Sequence, residues 1–593
     1  MAALFTTPRR NDTTAGTHVA EPDVRRRIGL AHGSWRRVTR RIVAGAVCAL
    51  TVSSLLMPSV SLAAEWVKVG GNKYNTAASD EAGTWSWDGA DDLKLNNYNG
   101  GEIQAAGKLN VNYSGTNIVT AELIESIKVS HGTNENAELN IQGDEGGTLS
   151  VTSTEDAILS TGNINIDGAG SVNATSTGFD AINAGGDLAI KGSGNVNATG
   201  ASDGIRANGN ITIDDSGAVT ARATKDKGIG ADKNLTIKGG GTVEASSADG
   251  EALWSGGNIN ISDGSQVKAS SEKDAAVEAK GSLAVTNASL DASGVEYGVY
   301  AYKGVTLDHA TVMVRTSANG GQAIALITDG DDIVIKNGST VDAFAEGEVS
   351  AAFSTRNDRP NEKGGHIYIS DSVVKAIARY VENGDGPIPY SENQDGETRR
   401  EPQGENIGII AQTSEGVTPA VISIIRSKVT AEGDTAAIFA RAMSADGKTI
   451  GTIKIENAAI QMPEGGKVID YRKLRDGIYE AGQAIGTGHA TVDSLYIKAV
   501  AKSTTIAPPE VAKPEDPKPD ETKPAESKPA ESKQNPKPEG SKPTKAVAAS
   551  TTKAKTTGVL AATGDTSGAA IVATVLAGTA AIAAGTMASR KRS

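Results

Sequence analysis

Through the middle of the chain, apolar and polar residues alternate in short runs that recur at a nearly fixed interval. Gly162-Asn163-Ile164-Asn165-Ile166 is followed by Gly186-Asp187-Leu188-Ala189-Ile190 and Gly209-Asn210-Ile211-Thr212-Ile213. The series continues at Lys233-Asn234-Leu235, Gly257-Asn258-Ile259, Gly281-Ser282-Leu283 and Gly304-Val305, with intervals of 24, 23, 24, 24, 24 and 23 residues. Periods of this size mark a solenoid. Each repeat holds three alternating segments, as in Ile211-Thr212-Ile213, Val219-Thr220-Ala221 and Ile229-Gly230-Ala231. Period-two alternation sends one residue inward and the next outward. The absence of a 3.6-residue pattern excludes leucine-rich and helical repeats. The pattern therefore predicts an all-β chain, a right-handed parallel β-helix with three short strands per rung of about 24 residues.

In such a fold the inward Ala, Val and Ile lie over their copies in the next rung, ~4.8 Å away. A narrow interior of this kind has little room for rings, in keeping with an aromatic content of 4%. Asn163, Asn210, Asn234 and Asn258 share one turn position, where stacked amides can bond from rung to rung and hold register. The regular repeats span 137–304, preceded by N-terminal rungs and a cap over 65–136. Irregular rungs with loop insertions follow over 305–500. Trp66, Trp85 and Trp87 are placed to cap the start, and Tyr471–Lys498 to close the end, with a short helix expected near Leu474–Ala484.

The formal charge is −13, but the ends are basic: residues 1–64 carry +6 and the tail after Thr563 carries +2, leaving −21 between them. An acidic product of this kind repels phosphate backbones, so no nucleic-acid partner is expected. The single cysteine, Cys48, lies in a segment with the layout of an export signal. There Arg36, Arg37, Arg40 and Arg41 precede an apolar run from Ile42 to Met57, then Pro58 and small residues up to Ala64. The stretch 501–559 reads as a disordered linker: Ala507 to Lys545 holds ten of the 19 prolines, interleaved with Lys and Glu. Such a segment cannot bury a core, and proline keeps it extended at ~3.1 Å per residue.

The last segment, 560–593, carries Leu560-Ala561-Ala562-Thr563-Gly564, an apolar run from Ala569 to Ala588 and a terminal Arg590-Lys591-Arg592-Ser593. The run is long enough to span a bilayer, with its cations on the cytoplasmic side. Together these resemble the sorting signal of sortase substrates in Gram-positive bacteria, in the variant with Ala in place of Pro at the second motif position. The resemblance implies a sortase partner, cleavage between Thr563 and Gly564, and covalent attachment of Thr563 to peptidoglycan. It implies a secreted protein fixed to the cell wall, with a membrane-spanning precursor.

A second set of turn positions is acidic. Asp156, Asp180, Asp203 and Glu251 each precede a third strand, and Asp226, Asp274 and Glu296 sit one step earlier. These are either solvated turn acids or oxygen ligands for Ca²⁺. Outward aromatics supply a different chemistry: Tyr300 and Tyr302 on one strand, and Trp85 and Trp87 near the start, are candidate glycan-stacking residues. The phrase Asp203-Gly204-Ile205-Arg206-Ala207-Asn208-Gly209-Asn210-Ile211-Thr212-Ile213 resembles the bacterial carbohydrate-binding β-helix family. That resemblance covers 137–304 and implies binding of acidic or plant-type polysaccharide with calcium at the acids. The adjacent pairs Asp214-Asp215 and Asp331-Asp332 sit in turn-like contexts, and no histidine set, nucleotide loop or zinc spacing marks a catalytic centre, so the chain is expected to be no enzyme. A wall-anchored glycan binder or adhesin is the expected role, with a passive surface stalk and a tethered polysaccharide lyase or hydrolase as alternatives.

Overall fold

A computed structural model of the chain describes residues 63–509, apart from 123–124, 131–136, 319–320, 358–364, 382–390, 393–397, 400–404, 415–416, 446, 476–477 and 488–499. The export segment, the body of the linker and the sorting signal at 560–593 lie outside the described residues. Every named element is a β-strand. The strands stack into three parallel sheets, each receiving one strand from every rung of the repeat. Sheet 1 is built from strands such as Ile211–Asp214, sheet 2 from strands such as Ala218–Ala223, and sheet 3 from strands such as Ile229–Ala231. Sheets 1 and 2 contain 16 and 15 strands.

Register converts the sequence repeat into columns of like side chains. In sheet 1, Leu139, Ile164, Leu188, Ile211, Leu235 and Ile259 pair in succession. In sheet 2, Val172, Val196, Val219, Val243 and Val267 do the same, with Ala174 to Ala269 two residues on. In sheet 3 the column runs Ile158, Ile182, Ile205, Ile229, Leu253, Val277 and Val299. All are buried in one continuous core. Each buried aliphatic contributes ~1.5–3 kcal/mol. A one-residue slip would turn a whole column toward water, so the alternation itself fixes the register.

The corner between sheets 1 and 2 has its own rule. Successive rungs place a left-handed residue there: Gly168 (φ 101°), Gly192 (79°), Asp215 (48°), Gly239 (86°), Asp263 (57°), Asn287 (50°) and His309 (50°), continuing through Asn337 and Asp371 to Arg426 and Asn457. Gly, Asn and Asp tolerate this region best. At Gly192 an added Cβ would lie 2.4 Å from the Gly168 carbonyl oxygen, so the corner also requires close approach of successive rungs. Besides His309, Arg426 departs from this preference. Its guanidinium grips Asp371, one rung below, through Nε–Oδ1 at 2.7 Å and Nη2–Oδ2 at 2.8 Å.

The ends differ from the body. At the start, Trp66–Val69 runs antiparallel to both Asn72–Tyr74 and Ile103–Ala106, and Trp85–Trp87 runs antiparallel to Ala78–Ser79 and Asp92–Asn96. At the far end, Ala436–Ser444 pairs antiparallel with Ile478–Gly486, which pairs with Lys467–Arg475. The helix expected near Leu474–Ala484 is therefore a β-hairpin: the exposed edge of sheet 3 offers a ladder of unpaired backbone groups, and strand pairing satisfies them where a helix would not. Ser503–Ala507 pairs antiparallel with Lys428–Gly433, so the folded body passes the boundary at residue 500 and enters the stretch expected as linker.

Candidate functional site

The outward residues of sheet 3 form a row in which polar, aromatic and charged side chains follow one another rung by rung. Register pairs Asn183 with Arg206, Arg206 with Gly230, Gly230 with Trp254, Trp254 with Glu278 and Glu278 with Tyr300. At ~4.8 Å per rung, the row from Arg206 to Tyr300 is ~19 Å long.

Its aromatic end is a stack. Tyr300 and Tyr302 lie 4.4 Å apart with ring planes at 17°, and Tyr297 adjoins Tyr300 at 5.0 Å and 41°. Tyr297 and Tyr300 rest on a second apolar cluster, outside the β-helix interior, that includes Ile324 and Ile327. The rings are thus held from behind while remaining half-exposed. Lys280 fixes the stack's edge: it pairs with Glu278, donates to the Tyr302 hydroxyl at 2.9 Å and lies 4.2 Å from the Tyr302 ring centroid.

Trp254 is the second platform, and its neighbour makes room for it. Gly230 leaves a gap into which Lys227 folds, bringing Nζ to 5.3 Å from the Trp254 ring centroid. A Cβ at Gly230 would lie 2.8 Å from Lys227 Cδ. The spacing of the repeat had flagged neither Trp254 nor Gly230. The available signal was the middle position of the third strand, which faces outward in every rung.

Behind the row runs the acidic ladder. The Asp180 backbone N–H donates to Asp156 Oδ1 at 3.0 Å, that of Asp203 to Asp180 Oδ1 at 2.9 Å, and that of Lys227 to Asp203 Oδ1 at 2.6 Å. The Asn183 amide donates to Asp156 Oδ2 at 3.1 Å and to Asp180 Oδ2 at 3.0 Å, while Arg206 reaches Asp203 Oδ2 at 3.5 Å. Every carboxylate oxygen of Asp156, Asp180 and Asp203 therefore has a protein donor. Burial nevertheless raises all three, Asp156 and Asp203 to about 6. Glu251 stands apart. Burial, followed by a hydrogen bond to the Glu278 carboxyl, pushes it up to about 7. Among the described residues, the acids whose ligand atoms all lie within 4.8 Å of one another are Asp88, Asp91 and Asp92, near the N-terminal cap and away from the ladder.

The other expected positions fall as follows. Asn163, Asn210, Asn234 and Asn258 do share a ladder, with Asp187 as a member between the first two. Side-chain oxygens accept the next rung's backbone N–H at 2.8 Å (Asn163 to Asp187), 2.7 Å (Asp187 to Asn210), 3.2 Å (Asn210 to Asn234) and 2.9 Å (Asn234 to Asn258). Trp85 and Trp87 are 7% and 2% exposed, so they cannot stack on a sugar. Trp85 packs on Tyr74 at 5.1 Å and the Trp87 indole N–H donates to the Ala90 carbonyl at 3.2 Å, which makes both part of the cap.

No protein-family model, curated protein or solved structure matches this chain.

Proposed function

We propose that this chain is an exported surface protein, held on the cell wall by the signal at 560–593, whose right-handed β-helix binds glycans along the outer row of sheet 3. The stacked Tyr300 and Tyr302 rings, in line with Trp254, carry the reading. Aromatic faces bind the apolar faces of sugar rings, and the flanking amide, guanidinium, ammonium and carboxyl groups supply hydrogen bonds to hydroxyls. Arg206, Lys227 and Lys280 are already paired with Asp203, Asp226 and Glu278, and Asp180 and Glu251 are further acids beside them. This balance favours neutral or amino-bearing glycans and disfavours the uronates that the family resemblance implies. Calcium is no requirement of the reading, since the ladder carboxylates are satisfied by protein donors.

Sortase and peptidoglycan, joined through Thr563, are the partners of the anchoring step. The unbroken side-chain ladders favour a second reading, a stiff stalk without glycan affinity. A glycan array probed with the full chain and with the Trp254→Ala and Tyr300→Ala variants separates the two. Binding that both substitutions weaken supports the first; no binding by the parent chain supports the second. Substitution of Thr563 and Gly564 tests anchoring, with release of the chain from the wall fraction as the expected result.

A further inference from the structure

Sheet 1 carries a separate surface with different chemistry. The outward side chains of Asn163–Gly168, Leu188–Lys191, Ile211–Asp214, Leu235–Lys238 and Ile259–Ser262 border a trough of about 600 Å³. Its central row, in register, is Asn165, Ala189, Thr212, Thr236 and Asn260. The three short side chains in the middle of that row form the floor. The Asn163-to-Asn258 turn ladder forms one border, and Lys191 lies on the other side of the strand.

The ladder spends the side-chain oxygens of this border but not all of its donors. Among the described residues, the side-chain N–H groups of Asn163 and Asn258, the whole Asn260 amide and the hydroxyls of Thr212 and Thr236 have no hydrogen-bond partner. Thr212, Thr236 and Asn260 follow one another along the floor at ~4.8 Å, close to the length of one hexose unit in an extended chain, while Asn163 and Asn258 stand at the two ends of the border. Strand pairing fixes the backbone that carries these groups before any ligand arrives, and this lowers the ordering cost of binding. Asp187 and Lys191 are the only charged residues in the lining, and they cancel. No aromatic residue lines the trough.

From this we infer that the trough is a second binding site, taking an extended, neutral, hydroxyl-rich polysaccharide that lies along the column and bonds through its hydroxyls. It is independent of the aromatic row on sheet 3 and does not require that row to bind anything.

The test uses the full chain and neutral hexasaccharides of glucose, mannose, galactose and N-acetylglucosamine, measured by calorimetry. Ala189→Tyr fills the floor from outside the core, where tyrosine suits a strand. The double variant Thr212→Val and Thr236→Val keeps the shape and removes the hydroxyls. The expected result is binding of at least one hexasaccharide by the parent, weakened about tenfold or more by both variants and unchanged by Trp254→Ala. No neutral hexasaccharide bound, or binding that survives Ala189→Tyr in a variant with the parent's melting temperature, overturns the site. Loss through Trp254→Ala alone would assign the binding to sheet 3 and overturn it equally.

Discussion

Asp203 stands one rung above Asp180 and hydrogen-bonds to it through its backbone, N–H to Oδ1, at 2.9 Å. Two carboxylates, 1% and 7% exposed, are thereby stacked in a column where like charges oppose each other. Burial, reinforced by Asp180 and Asp226 against the pull of the Lys227 N–H, raises Asp203 from 3.8 to about 6. Between those values the folded chain binds more protons than the unfolded one. The stabilisation is fully present below pH 3.8 and is lost as pH rises through about 6. Asp203→Asn retains the oxygen that accepts the Lys227 N–H and removes the charge. It is expected to stabilise the protein above neutral pH by ~1–3 kcal/mol and to flatten the loss between acid and neutral pH. Melting temperatures of parent and variant across that range check this, and a variant that melts below the parent at alkaline pH would contradict it.

The gap at Gly230 is needed only if Lys227 and Trp254 act together. Gly230→Leu would drive the Lys227 stem off the indole while leaving the buried column of Ile205, Ile229 and Leu253 intact. Glycan affinity is expected to fall about tenfold with little change in melting temperature. An unchanged affinity would remove Trp254 from the site.

The engaged oxygens of Asp156, Asp180 and Asp203 bear on calcium. With each already accepting from a backbone or side-chain donor, a chelator is expected to leave the melting temperature where it was. Ion binding to the native state would instead raise stability in proportion to occupancy, and a clear drop in chelator would show that calcium replaces these donors.

Corner and core substitutions should differ in size. Gly192→Ala places a Cβ against the Gly168 carbonyl in a left-handed residue, at an expected cost of ~1–3 kcal/mol. Phe353 is fully buried in the sheet 3 column, between Leu326 and Ile409. Phe353→Ala leaves a cavity and should cost ~3–5 kcal/mol. Denaturant unfolding of the two variants gives the comparison.

The columns were readable in the sequence because period-two alternation and the rung length together determine which residues stack. The turn ladder at Asn163, Asn210, Asn234 and Asn258 was readable for the same reason, though its fifth member, Asp187, was not recognised. Trp254 was missed because a single outward residue breaks no pattern. For Trp85 and Trp87 the sequence left cap and sugar platform both open, because burial at an end depends on how the first strands fold back, which alternation does not encode. The hairpin after Lys467 was hidden likewise: its strands are specified by the edge they cover. Arg426 takes a turn position that its residue type disfavours, and only the Asp371 carboxylate beneath it accounts for the choice.

The reversed strands at the two termini of the column limit what copies of this molecule can do to one another. A stack of parallel strands is a template on which an identical chain can continue. Here Trp66–Val69 at one extremity and the Lys467–Gly486 hairpin at the other run against the grain, so an incoming copy meets the wrong polarity on sheet 3. On sheet 1 the terminal strand Thr452–Glu456 presents Lys454 and Glu456, charges that discourage edge pairing. At these two edges, strand-by-strand continuation by an identical chain is opposed by polarity on sheet 3 and by charge on sheet 1.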